Sequence, residues 1–145
     1  MATGEDLRFV AIEIAWRMWG LPYIWAGNDA VAGFDCSGMQ VEILQSVGIL
    51  PDGDWSASML WGRFVEYEIQ QPKPGALIFW STPQGHVRHV EMCIGDGLSI
   101  GASGGGRRIK TREDAILNNA FVKIRPVIGR GIIKGYLDPF KEMTS

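Results

Sequence analysis

The chain has 145 residues with a hydrophobic share of 46%, and its 14 Lys and Arg against 16 Asp and Glu leave a net charge of −2. That is enough apolar material for a packed core in one domain over 1–145 without a metal or disulfide staple, and the charge balance lacks the basic stripe of a nucleic-acid binder. No apolar run is long enough to span a bilayer, and the opening Met1-Ala2-Thr3-Gly4-Glu5-Asp6 has neither the basic start nor the apolar core of a signal peptide, so the expectation is synthesis in the cytoplasm and no membrane partner.

Thr3 and Asp6 cap a predicted helix over 5–18, in which Phe9, Val10, Ile14 and Met18 fall near helical spacing. Gly20-Leu21-Pro22 ends it, and Gly27, Asn28, Asp29 and Gly33 mark an irregular stretch. A second helix is expected over 36–47, with Val41, Leu44 and Val47 on its apolar face and Gly48 as its stop. A short helix within 52–66 should begin near Asp54 or Ser56. After Pro72-Lys73-Pro74-Gly75 the period changes to two. Strands are expected over 76–80, 87–94 and 98–103, the last two joined by a turn at Gly95-Asp96-Gly97. Gly104-Gly105-Gly106 reads as a flexible loop. Arg107, Arg108, Lys110 and Arg112 read as a solvated basic loop, with docking to an anionic polymer as the alternative. Further strands are expected over 121–126 and 128–136, before a turn at Asp138-Pro139. Helices followed by an antiparallel sheet make an α+β pattern.

Two cysteines cannot build a disulfide framework, and neither Cys36 nor Cys93 sits in a metal-ligand pair. Cys36, in Gly33-Phe34-Asp35-Cys36-Ser37-Gly38, is placed at the first turn of the second helix. There the helix dipole favours thiolate and free backbone N–H groups face outward, as a nucleophile requires. The small Ser37 and Gly38 would let a substrate backbone come close. The other reading of Cys36 is a small core residue. Cys93, mid-strand between Met92 and Ile94, reads as packing. Of the two histidines, His86 sits in a glycine-flanked loop and reads as exposed, whereas His89 lies inside a strand, a rigid platform for a base. A helix-start cysteine followed about fifty residues later by a strand histidine is a Cys–His order of nucleophile and base.

These segments resemble the NlpC-type cell-wall peptidases. The resemblance rests on Pro22-Tyr23-Ile24-Trp25-Ala26-Gly27, Gly33 to Gly38, Lys73-Pro74-Gly75-Ala76-Leu77-Ile78-Phe79 and His89-Val90-Glu91-Met92-Cys93-Ile94-Gly95-Asp96-Gly97, in the family's order. It implies a papain-like α+β fold and hydrolysis of stem-peptide amide bonds in peptidoglycan, usually between D-glutamate and a diamino acid. It further implies Cys36 as nucleophile, His89 as base, Tyr23 as a neighbour that helps bind the oxyanion, and Asp35 and Ser37 as site-shaping residues that touch substrate. No cofactor or metal is expected. The segment from Arg107 to Ser145 resembles versions coded by bacteriophages and gene-transfer particles, which implies tail proteins as partners and a virion as the carrier.

The family orients its histidine with a polar residue on the next strand. A hairpin centred on Gly95 would place Gly101 opposite His89, with no side chain to offer. Glu91, on the same sheet face as His89, is the favoured replacement. A backbone carbonyl or a water is the alternative, and Ser103, expected near Val87, is the poorer one. Two other functions stay open: a non-catalytic tail or wall-binding module with this fold, and an amidase acting on another amide or thioester. Trp25, Trp55 and Trp61 are candidates to line a groove, while Trp16, Trp19 and Trp80 read as core.

Overall fold

A computed structural model describes residues 2–29 and 33–141; the end of the expected tail segment, 142–145, lies outside them. The first helix, α1 (Gly4–Arg17), begins with the expected cap: the Thr3 hydroxyl accepts from the Asp6 N–H and the Asp6 carboxylate accepts from the Thr3 N–H. Two short strands, β1 (Asn28–Asp29) and β2 (Gly33–Phe34), lead into α2 (Cys36–Ser46), and α3 (Ala57–Phe64) follows with Ser56 as its cap. The sheet is built from β3 (Glu68–Ile69), β4 (Leu77–Ser81), β5 (Val87–Gly95), β6 (Leu98–Ser103), β7 (Phe121–Pro126) and β8 (Ile132–Leu137). Its order is β3-β8-β4-β5-β6-β7, all antiparallel. The α+β expectation holds.

Alternation along the strands divides the sheet's side chains between two clusters. Leu77, Phe79, Val90, Met92, Ile100 and Ala102 join the main core with Met39, Ile43 and Leu44 of α2 and Leu60 and Phe64 of α3. Ile78, Trp80 and Cys93 form a second cluster with Val127. Because β7 is an edge strand and β8 lies beyond β4, the connection over 127–131 must cross the face carrying that second cluster.

Several expectations need correction. The buried face of α1 is Gly4, Arg8, Ala11 and Ala15, whereas Phe9, Val10, Trp16 and Trp19 are exposed. Small residues let the helix sit close to its neighbours, and Arg8 is buried because its guanidinium forks onto Asp138, with both N–O distances 2.9 Å. Trp80 is buried as expected, but Trp16 and Trp19 are not core. Trp61 packs edge-on against Phe79 and is not in the wall of the cavity at Cys36. A helix absent from the sequence reading, α4 (Arg112–Leu117), starts inside the basic run, with Thr111 and Asp114 as its capping box. Ile109, in the middle of that run, is buried in the main core. No helix among the described residues is long and apolar enough to cross a membrane.

Candidate active site

Cys36 is the first residue of α2. Asp35 is the N-cap, in extended conformation, and its carboxylate accepts the Gly38 N–H at 2.6 Å. Burial raises the Asp35 pKa from its ordinary value, and the backbone N–H bonds oppose that rise. Gly38 is packed closely: a Cβ there would run into the Gly27 carbonyl and lie 2.7 Å from Asp35 Oδ1. The Gly27 carbonyl in turn accepts the Asp35 N–H at 3.0 Å. The start of α2 is thereby fixed on both sides. Ser37 points its hydroxyl toward Asp35 at 3.5 Å.

His89, near the start of β5, faces Cys36 at the N-terminal end of α2. Its Nε2 lies 2.6 Å from Glu91 Oε2, so Nδ1 is the ring nitrogen left free beside Cys36, which lines the same cavity. Burial acts to lower the His89 pKa, but the hydrogen bonds and charges of Cys36 and Glu91 outweigh it and raise the value from 6.5 to about 9. Burial would raise the Glu91 pKa, yet His89 and Arg130 hold it down, from 4.5 to about 2. Glu91, 1% exposed and with Arg125 farther off at 3.7 Å, is thus a buried carboxylate with three partners within 2.7 Å. Besides His89, these are Ser99 Oγ at 2.7 Å on Oε1 and Arg130 Nη2 at 2.7 Å on Oε2.

The hairpin register differs from the expected one by two residues. Asp96 and Gly97 both have positive φ, 55° and 71°, as a two-residue turn with Gly95 opposite Leu98 requires. A bulge follows between Cys93 and Gly95, and Met92 then pairs with Ile100. The next pair in that register is Glu91 with Gly101, not His89 with Gly101. A Cβ at position 101 would lie 2.8 Å from Glu91 Cδ and 3.0 Å from its Cβ. Gly101 therefore makes the space that Glu91 occupies. Ser103 lines the cavity at Cys36, but its hydroxyl accepts from Arg125 Nη2 at 2.7 Å.

Tyr23 is buried beside this pair. Burial first, then the nearby Cys36 and Asp35 charges, push its pKa from 10.0 up to about 12, which keeps its hydroxyl a donor. The Gly104–Gly106 loop is part of the site: a Cβ at Gly105 would lie 2.9 Å from Tyr23 Cγ, so the chain passes directly over the ring. Trp25 lines the same cavity and Trp55 a second one, as expected of groove residues. Cys93 is buried, and burial pushes its thiol up to about 12. His86 is exposed in its turn.

Sequence reasoning missed Ser99 and Arg130. Arg130 sits in the 127–131 crossing, stacks its guanidinium 4.5 Å above the Trp80 ring and reaches Glu91 from there. No local signal marks it, because its contact depends on strand order. A thiol beside an imidazole that is itself held by a carboxylate can exchange a proton between sulfur and nitrogen and keep the resulting ion pair in place.

The profile of the NlpC/P60 family matches residues 20–126. The chain is 46% identical over 83 residues to a gamma-D-glutamyl-L-lysine dipeptidyl-peptidase of Bacillus cereus, a match covering 56% of this chain and 24% of that protein. It is 34% identical over 95 residues to a gamma-DL-glutamyl hydrolase of Bacillus subtilis, covering 63% of this chain and 22% of that one. The chain thus spans about a quarter of the length of these relatives. A crystal structure of an NlpC/P60 family protein from Bacillus cereus superposes with a TM-score of 0.68 at 30% identity, covering 90% of this chain and 38% of that one.

Proposed function

Since the chain belongs to the NlpC/P60 family, we propose that it is a cysteine endopeptidase cleaving stem-peptide amide bonds of peptidoglycan, of the D-glutamyl–diamino acid type. The observation that carries this reading is Cys36, at the start of α2, lining one cavity of about 490 Å3 with His89, whose ring is held at 2.6 Å by Glu91. The γ-glutamyl bonds in the names of its relatives support the choice of bond.

In this reading His89 carries the proton of Cys36, and Glu91 accepts from Nε2, fixing the ring and favouring imidazolium. The thiolate attacks the amide carbonyl, forming the S–C bond. The oxyanion is received by the Cys36 N–H at the positive end of α2 and by the Tyr23 hydroxyl. His89 gives its Nδ1 proton to the leaving nitrogen as the C–N bond breaks. Water, deprotonated by His89, then releases the acyl group and restores the thiol. Asp35 supports this as the cap that aims the first turn of α2, and Ser37 contributes a hydroxyl on the acyl side. The target is the cell wall, and the likeness of the Arg107–Ser145 segment to phage and gene-transfer versions supports delivery by a tail particle.

The test is incubation of the protein and its Cys36→Ala variant with purified muropeptides, fragments being identified by mass. Fragments split at the D-glutamyl amide by the unsubstituted chain alone are expected; absence of any Cys36-dependent cleavage sinks the reading.

A further inference from the structure

Two cavities meet at the N-terminus of α2, and they carry opposite charge. The first, bordered by Cys36 and His89, has Arg88, Arg125 and Arg130 in its walls and no Asp or Glu. The second, about 610 Å3, has Asp35, Glu42 and Asp54 in its walls and no Lys, Arg or His. Within the first, Arg130 is neutralised by Glu91 at 2.7 Å. Arg88 has no carboxylate within ion-pair distance among the described residues and is exposed. Arg125 is 3.7 Å from the already engaged Glu91; its Nη2 donates to the Ser103 hydroxyl, and its Nε has no partner. Two guanidinium groups are therefore left with donors and charge to offer beside His89.

The side of the cleft follows from the chemistry of the proposed reaction, on which this inference rests. His89 must protonate the departing nitrogen, so the amine half of the substrate lies on the His89 side, among the arginines. The acyl half lies toward Asp35 and Ser37. We propose that Arg88 and Arg125 form a subsite for a carboxylate on the amine-side residue of the substrate. The matching leaving group is a diamino acid with a free carboxylate, and the same residue with that carboxylate amidated is disfavoured. A guanidinium fork matches a carboxylate in charge and shape, whereas a carboxamide brings its own N–H donors against donors.

The experiment is calorimetric titration of the Cys36→Ala chain with two peptides that differ only in carboxylate or carboxamide on the amine-side residue. The carboxylate peptide is expected to bind about tenfold more tightly, a charge-assisted pair being the strong kind of hydrogen bond. That preference should shrink toward unity with Arg88→Gln, an exposed position, and with Arg125→Gln, and should weaken as salt is raised. Equal affinity for both peptides, binding of neither, or a preference untouched by both substitutions overturns the proposal. Turnover by the unsubstituted chain separates the two readings. Cleavage of both peptides at equal rates removes the subsite and leaves the peptidase; selective binding without cleavage removes the peptidase and leaves the subsite.

Discussion

Gly101 stands across the β5–β6 hairpin from Glu91, and the missing side chain is what admits the carboxylate to the position where it holds His89. A residue without a side chain at this place would argue for a site that had lost its third member. The structure gives it another meaning: the carboxylate that holds His89 comes from the same strand, and the facing strand leaves room for it.

Gly101→Ala is expected to keep the fold at a cost of about 1–3 kcal/mol for overpacking. By displacing Glu91 it should lower kcat/KM about a hundredfold, the scale of an ångström-level misplacement. Circular dichroism and a muropeptide assay check both. Unchanged turnover in the folded variant removes Glu91 from the orienting role.

The pH profile should be limited on the alkaline side by His89. Its folded pKa of about 9 lies above the ordinary 6.5, so the stability its imidazolium adds is complete below 6.5 and is lost as pH rises through about 9. Activity that depends on the ion pair should fall in the same range. Glu91 stays ionised down to about 2 and sets no limb near neutrality. In Glu91→Gln one of the two groups that raise His89 is removed, and the alkaline limb of kcat/KM should move to lower pH. A limb that stays in place contradicts the assignment.

Arg130 is expected to act on catalysis through Glu91, which it contacts at 2.7 Å. Arg130→Met removes the guanidinium that lies over Trp80 and pairs with Glu91, leaving Glu91 less firmly held. We expect kcat to fall about tenfold, with KM for a carboxamide peptide little changed, and partial rescue by Arg130→Lys. A KM effect alone would assign Arg130 to substrate binding instead.

Alkylation should distinguish the two thiols. Cys36 lies at a helix start in the same cavity as His89, while Cys93 is buried with its thiol pushed up to about 12. With iodoacetamide near neutral pH, Cys36 should react about a hundredfold faster or more, read by peptide mass mapping. Equal rates would favour a non-catalytic module.

Arg8 and Asp138 tie α1 to the segment after β8 in a buried, two-bonded ion pair. Arg8→Ala leaves Asp138 without that partner and should cost about 3–5 kcal/mol in urea unfolding. The double variant Arg8→Met with Asp138→Leu should recover part of that loss. A single-variant cost under about 1 kcal/mol would mean the pair is screened like a surface one.

The elements that frame the site were legible in the sequence because their causes are local. Asp35 before Cys36 starts a helix by capping, Thr3 and Asp6 do the same for α1, and the change to period two sets the strands. Even α4 carried its signal, Thr111 with Asp114, inside a run that charge alone had marked as loop. Cys36 and His89 could be named, since so few residues of their kinds are present. What the sequence left open were relations between distant segments. The register that sets Gly101 against Glu91 depends on a bulge beyond the Asp96-Gly97 turn. The burial of Arg8 in place of Phe9 depends on Asp138, far along the chain. The reach of Arg130 to Glu91 depends on β8 pairing with β4 instead of β7. Local propensity fixes where elements begin and which face is apolar, but hydrogen-bond register and strand order are settled only when the whole sheet closes its ladders and buries its charges in pairs.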